Sequence, residues 1–308
     1  MSGEPPADVV DLAKRRAAAR GERDFAAADR IREAIAAAGW LVADVPDGWV
    51  LKPRPPYAVA MSTRDLPDRS AQPDAAGACV AVVVDGWPDD LRTFVEALFQ
   101  HAPADIGLKA LDAGNRDGAG DVLHELARTY PGRIEAFHTD RPLGWAEAVT
   151  ALAKADQSRV HILADLSTIF TGDALTPLLA EFDDPTVVGA GWRGVRVDDD
   201  WQSFSPAPAG EVEALLGYLF AVRRSALLSV PPHPKARFYR NADMEWSYAL
   251  RDAGLGRLVV PAGELPLRQA RHHGYHDSDP GVREKQSKVN YDRFLRRFRG
   301  RDDLRSRN

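Results

Sequence analysis

The sequence predicts an α/β fold: a mostly parallel sheet flanked by helices, preceded by a small helical unit. Three observations carry this. From Cys79 onward, short apolar runs alternate with helix-periodic segments, the pattern of a parallel sheet with helices on both faces. Acidic residues, Asp85, Asp112 and Asp165, close three of the apolar runs, and open α/β sheets bind ligands at the carboxyl ends of their strands. Ahead of this alternation, residues 7–51 have their own helical periodicity and turn signals.

The elements follow in order. Asp24 is placed to cap a helix whose apolar face is Phe25, Ala28, Ile31, Ile35 and Ala38, and Gly39 is its expected stop. A short hairpin, 41–45 and 49–51, turns around Asp47-Gly48. Residues 52–77 gain proline and lose periodicity, which predicts a linker. Residues 80–84 read as a buried strand. Leu91, Phe94, Val95 and Leu98 repeat at helical spacing. Then come a strand at 106–111, a helix at 122–130, a strand at 134–137, a helix at 145–155 and a strand at 160–164. Residues 167–173 read as a turn and helix start. Beyond them the pattern mixes: strands at 187–190, 195–197 and 257–260, an apolar run at 214–222, and a helix at 241–253. The domain boundaries expected are 1–51, a linker at 52–77, 78–278, and a basic tail at 279–308.

The chain has 308 residues, 44% hydrophobic and 28% charged, as in ordinary globular proteins. Its net charge of −5 argues against bulk nucleic-acid binding. One cysteine, Cys79, excludes an internal disulfide and a Cys-rich zinc site; a cytoplasmic setting is the expectation. The N-terminus lacks an apolar signal-peptide core, and no apolar run approaches a membrane span.

Asp165 ends a buried strand, and Asp243 opens a helix. Folded to one crevice, the first would hold a metal–phosphate and the second would take a proton. Asp112 lies in a small-residue turn, LDAGN, and fits either a turn carboxylate or a contact to a base or ribose. Asp85, before Gly86, has the same two readings. Arg223 and Arg224 fit either a diphosphate pair or a solvent-facing strand cap. His272, His273 and His276 fit either a polar loop or ligands.

The order of motifs resembles family 2 glycosyltransferases. Residues 141–148 (RPLGWAEA), including Gly144, are similar to the family's N-x-G-[FY]-[AG]-x-[AG]-N segment. Residues 162–167 (ILADLS) resemble its DXD strand end, followed by 171–175 (TGDAL). Residues 217–227 (GYLFAVRRSAL) and 241–254, with NADMEW then LRDAG, resemble its later motifs. The resemblance implies a GT-A fold of the nucleotide-diphospho-sugar transferase type and an inverting transfer from a nucleotide-sugar donor to a carbohydrate or lipid-linked acceptor, in cell-envelope polysaccharide or glycolipid synthesis. It implies roles by position: Asp243 and Glu245 catalytic, with Asp243 the base; Asp85, Asp112, Gly144, Asp165 and Arg223 at the donor; and a divalent metal, Mg²⁺ or Mn²⁺, on Asp165, His272 and His276. Ser167 replaces the second DXD acid, Ala242 replaces the Glu before Asp243, and Thr150 replaces an Asn. These departures leave a catalytically degenerate scaffold as the alternative.

Residues 20–32 (RGERDFAAADRIR), with 37–40 and 45–48, resemble the C-terminal tail of cysteinyl-tRNA synthetases. Between residues 8 and 40, seven basic residues face six acidic ones, so no basic stripe forms, RNA binding is not expected, and a docking or dimerisation hairpin is. Residues 283–307 hold ten Lys/Arg and four Asp/Glu; they fit either a helix packed on the domain or a peripheral contact with the inner membrane face. The sequence sets no oligomeric state.

Overall fold

In a computed structural model, residues 4–45 and 47–306 are described; Pro46 and the two chain ends, which enter the expected hairpin turn and terminal boundaries, lie outside the described residues. The chain forms two compact units, Met1–Val59 and Ala60–Asn308.

In the first unit, helices α1 (Ala7–Gly21) and α2 (Phe25–Ala37) precede a hairpin of β1 (Trp40–Val45) and β2 (Gly48–Pro53). The Asp24 carboxylate accepts the Ala27 amide at 2.9 Å, closing the helix start as its residue type predicts. Gly39 takes the left-handed conformation (φ 83°) that ends the helix. Val9, Ala13, Ile35 and Val42 form the core. Phe25, expected on the apolar face, is 57% exposed, because it occupies the first helical position beyond the reach of that core.

The second unit is built on an eight-stranded mixed sheet. Its elements are β3 (Ala76–Val84), α3 (Pro88–His101), β4 (Gly107–Ala113), α4 (Ala119–Thr129), β5 (Ile134–Thr139), α5 (Trp145–Ala155) and β6 (Ser158–Ala164). They continue as β7 (Thr168–Phe170), α6 (Leu175–Ala180), β8 (Val187–Gly191), β9 (Gly194–Val197), β10 (Phe204–Pro206), β11 (Gly210–Val212), β12 (Ala214–Leu215) and β13 (Leu219–Arg223). The last are α7 (Arg224–Ser229), α8 (Ala242–Asp252), β14 (Arg257–Val260), β15 (Leu267–Gln269), α9 (His273–His276) and α10 (Pro280–Phe298). The sheet order is β11-β14-β8-β13-β6-β3-β4-β5. Strands β3, β4, β5 and β6 pair in parallel, whereas β13 runs antiparallel between β6 and β8.

Alternation along β3 explains the layers. Val80, Val82 and Val84 face the core beneath α3, α4 and α6, while Ala81 faces α5 on the other side. Leu163, Phe220, Trp246 and Leu250 fill the space under α5, α7 and α8. A third cluster, with Met244, Tyr248, Phe294 and Phe298, fastens α10 against α8. The basic C-terminal stretch is therefore part of the packed unit.

Three expectations change. The latter part of the 52–77 stretch is not free chain: Arg69 donates to Glu135 at 2.6 Å and to the Ala155 carbonyl, and Arg224 donates to the Arg69 carbonyl. The turn expected at 167–173 contains β7, which pairs with β15; Asp173 caps α6 beyond it. The apolar run at 214–222 breaks at Gly217-Tyr218 into two strands of different sheets.

Candidate active site

The chain runs outward from β3 to β4 and β5, then returns to β6 on the opposite side of β3. Connections on either side of that switch leave a crevice at the carboxyl ends. Asp85 follows β3 and Asp165 follows β6, so both reach it. A cavity of about 610 Å³ lies here, lined by Asp85, Asp165, Tyr218, Tyr239, Asp243 and His272 among others. The two acids that stand 78 positions apart in sequence thus share one cleft.

Asp165 is fixed from several sides. Its amide donates to the Tyr218 carbonyl at 3.0 Å, and its Oδ1 accepts the Ser167 amide at 2.9 Å and the Ser167 hydroxyl. The β7–β15 pairing brings the chain back: the Ala270 amide donates to the Ser167 carbonyl at 2.7 Å. Two residues later His272 places Nε2 3.0 Å from Asp165 Oδ2. His272 Nδ1 accepts the Tyr275 amide at 3.1 Å, which leaves the proton on Nε2, aimed at the carboxylate. The ring stacks on Tyr239 at 4.7 Å and meets Tyr218 edge-on at 6.3 Å. Burial pushes the Asp165 carboxyl up, but the His272 hydrogen bond and charge, with Ser167, outweigh it and hold the group below its ordinary value. Burial likewise opposes charge on His272, and Asp165 outweighs it, so the imidazole titrates above its ordinary value.

Asp243 is set differently. Asn241 takes a left-handed conformation (φ 63°) at the start of α8, a conformation asparagine tolerates. Asp243 Oδ2 accepts the Gly217 amide at 2.9 Å and Oδ1 the Met244 amide at 2.8 Å. Ser247 ties the same turn to β12, donating to the Asp243 carbonyl and accepting the Leu215 amide. Among the described residues no cation lies within ion-pair distance of the side chain, which is 7% exposed. Burial pushes its carboxyl up to about 6, with the Gly217 and Met244 amides pulling the other way. A carboxylate poised near neutrality at a cavity wall can accept a proton from a bound hydroxyl.

Other expected residues fall elsewhere. Glu245 leaves the site: it is 1% exposed and bound by Arg293 and Arg297 of α10. Residues two apart on a helix face different ways, so Asp243 and Glu245 cannot serve one pocket. Arg223 also leaves the site. Strand β13 runs antiparallel to β6, which carries its last residue to the opposite sheet edge, opposite Val160. There it donates to the carbonyls of Phe182, Asp184 and Val187. Asp112 is 1% exposed, outside the cavity lining, with Oδ1 accepting the Asn115 amide and Oδ2 3.2 Å from His138. Asp85 lines the cavity and pairs with Arg116 at 2.7 Å. Gly144 starts α5 against the Arg237 backbone, where an added Cβ would lie 3.4 Å from the Arg237 Cα; its neighbours Leu143 and Trp145 line the cavity. His276 lines it too. Among the described residues, no three His, Cys, Asp or Glu side chains gather as a metal cluster, so the set of Asp165, His272 and His276 does not close as one. Asp165 and His272 remain together as a hydrogen-bonded pair.

The sequence reading missed the aromatic and cationic lining: Trp87, Tyr218, Tyr239, Arg193, Arg237 and Arg240. The signal was available in RFYRN, an aromatic–arginine run directly before Asp243. Trp87 is a bulky residue at positive φ (61°) on the cavity wall, stacked on His273 at 5.0 Å; backbone strain of this kind clusters at functional sites.

Comparison with known proteins fits this geometry. The model of the family described as "Glycosyl transferase family 2" matches residues 79–243. Among solved structures, GalNAc-T7 with UDP, GalNAc and Mn²⁺ superposes with a TM-score of 0.59 at 18% identity, covering 72% of this chain and 48% of that one. The mannosyltransferase PcManGT from Pyrobaculum calidifontis, in complex with GDP-Man and Mn²⁺, gives 0.57 at 16% identity, covering 79% and 68%. At these identities the likeness is one of fold: the second unit has the GT-A architecture. Two curated cysteine–tRNA ligases share short segments. That of Opitutus terrae is 52% identical over 50 residues, and enzyme 1 of Burkholderia lata is 56% identical over 43 residues. The chain spans only 11% and 9% of those two proteins' lengths.

Proposed function

The chain belongs to glycosyl transferase family 2, and from that premise we propose that it transfers a sugar from a nucleoside-diphosphate donor to an acceptor hydroxyl with inversion. One observation carries this reading. Two carboxylates face one cavity at the sheet's switch point, and their environments push them apart: Asp165 is held ionised by His272, whereas burial raises Asp243 to about 6. Carboxyl groups separated in this way divide into distinct roles.

Asp243 removes the acceptor proton as the acceptor oxygen bonds to the anomeric carbon. The bond to the diphosphate oxygen breaks on the opposite face, and the diphosphate leaves with that electron pair. Asp165 and His272 sit at the donor side. The Asp165 carboxylate would hold Mg²⁺ or Mn²⁺ together with the donor diphosphate, and His272, whose Nε2 proton is aimed at that carboxylate, would orient it. When bound, the ion supplies positive charge to the leaving diphosphate. Asp85, on the other side of the switch, is the candidate for the nucleoside.

A carbohydrate or lipid-linked acceptor of the cell envelope belongs to the same proposal, as does work at the cytoplasmic face of a membrane. Helix α10 supports the latter reading: Val282 and Val289 are 60% and 43% exposed beside exposed Lys285, Lys288 and Arg296. No helix among the described residues is long and apolar enough to cross a membrane. For the first unit we propose a docking role.

The test is a thermal-shift panel of UDP-, GDP- and TDP-sugars with and without Mn²⁺. At least one donor should raise the melting temperature, as any ligand selective for the folded state does. No shift with any member defeats the reading and leaves a scaffold.

A further inference from the structure

The cavity's charges are unevenly matched. Three of its carboxylates have basic side chains beside them: Asp85 with Arg116 at 2.7 Å, Asp165 with His272 at 3.0 Å, and Asp90 with His273 at 3.8 Å. Arg271 is answered by Asp277 at 2.5 Å. Arg193, Arg237 and Arg240 also line the cavity, are exposed, and have no carboxylate within ion-pair distance among the described residues. Two of them are held by aromatic faces instead. Arg193 lies over Trp192 at 4.2 Å and Tyr218 at 5.4 Å, and Arg240 lies over Tyr275 at 4.9 Å and donates to its hydroxyl at 2.5 Å. Aromatic contact orients a guanidinium without neutralising it.

Their placement is specific. Arg240 precedes Asp243 by three residues. Arg237 opens the same lining segment, and its carbonyl accepts the Trp145 amide at 3.1 Å. Arg193 covers Tyr218, the neighbour of Gly217, whose amide holds Asp243. All three therefore belong to the cavity wall that carries the proton acceptor, while Asp165 follows β6 and Arg271 and His272 follow β15. A hydroxyl that delivers its proton to Asp243 carries its own substituents against these guanidiniums. A neutral acceptor would face three charges it cannot pair, whereas phosphate and carboxylate match the guanidinium fork.

We propose that the acceptor bears an anionic group, a phosphate or a carboxylate, bound by Arg237 and Arg240 with Arg193 beside Asp243. This rests on the transferase reading above. In the test, the full chain is loaded with UDP or GDP and Mn²⁺ and titrated calorimetrically with glucose, glucose 6-phosphate and glucuronate. At least one anionic sugar should bind about tenfold or more tightly than glucose, the size of one charge-assisted contact. Preference for glucose 6-phosphate identifies a phosphate and preference for glucuronate a carboxylate. The R237Q/R240Q variant should lose that preference and keep its nucleotide affinity within about twofold. Both positions are exposed, so folding should persist; R193Q, a separate surface change, should weaken the same preference. Equal behaviour of the three sugars overturns the proposal while the transferase reading stands. Loss of nucleotide affinity in R237Q/R240Q also overturns it, because the guanidiniums then serve the donor. Failure of any nucleotide to bind the unaltered protein removes the transferase reading and this inference with it.

Discussion

Strand β6 carries the same device at both ends. At its amino end, Asp156-Gln157-Ser158 folds so that Asp156 accepts the Ser158 amide at 3.0 Å and the Ser158 hydroxyl at 2.5 Å, with His161 Nδ1 at 2.8 Å. At its carboxyl end, Asp165-Leu166-Ser167 repeats the turn, with His272 as partner. Both carboxyls are held below their ordinary value; in each, burial pushes up and the histidine and serine contacts together outweigh it. The difference is location. Asp156 and His161 are 1% and 0% exposed, sealed in the interior by a histidine five residues away. Asp165 opens on the cleft, and its histidine arrives from the far end of the fold. An Asp–His pair is thus sealed in the interior or open to a cleft according to which sheet edge it occupies.

The largest expected effects come from breaking each pair. Asp165→Asn should lower transfer by on the order of 100-fold or more and cost less stability than the interior pair does, because Asp165 opens on the cleft. Asp156→Asn should instead cost about 3–5 kcal/mol of stability, the range for an opened buried pair, and leave donor affinity in the remaining folded protein unchanged. Calorimetric melting and donor titration of both variants separate the two; equal losses of stability would erase the contrast. Glu245→Gln opens the buried contact to Arg293 and belongs with Asp156. It should destabilise by a similar amount, and wild-type turnover by the folded fraction is the outcome that keeps it out of the site.

A smaller effect sharpens the distinction between Asp165 and Asp243. Between the unfolded value of 3.8 and about 6, the folded protein holds a proton on Asp243 that the unfolded chain has lost. Stability contributed by this group therefore declines as pH rises through that window, by up to about 3 kcal/mol at about 1.4 kcal/mol per pH unit. Asp156 and Asp165 behave oppositely: their stabilisation is present above the unfolded value and disappears as pH falls through the lowered folded one. Denaturant titrations of Asp243→Asn should show a variant more stable than wild type at pH 7, with the gain vanishing near pH 4. A constant gain at every pH would contradict the buried, raised carboxyl.

Much of this was legible in the sequence, for stated reasons. Buried strands such as β3 and β6 are continuous apolar runs, and their closing acids mark the sheet edge. Asp165 and Asp243 could be paired through motif order, and both line the same cavity. What could not be read depends on chain direction and on distant partners. The resemblance implies a donor role for Arg223, and β13's reversal, which moves it away, is invisible in its own residues. The resemblance implies a catalytic Glu245, but helix geometry turns it toward α10, where Arg293 and Arg297 answer its charge. The guanidiniums of Arg193, Arg237 and Arg240 meet at one cavity wall only through the fold, which brings the 192–193 and 237–240 segments together.

The central claim is that Asp243 takes the acceptor proton in the cleft where Asp165 holds the donor. Its most direct measurement is donor affinity and transfer rate of Asp243→Asn beside the unaltered protein. Donor affinity should stay within about twofold while transfer falls by about 100-fold or more, the usual contribution of a positioned base. Turnover at the wild-type rate by that variant would contradict the account.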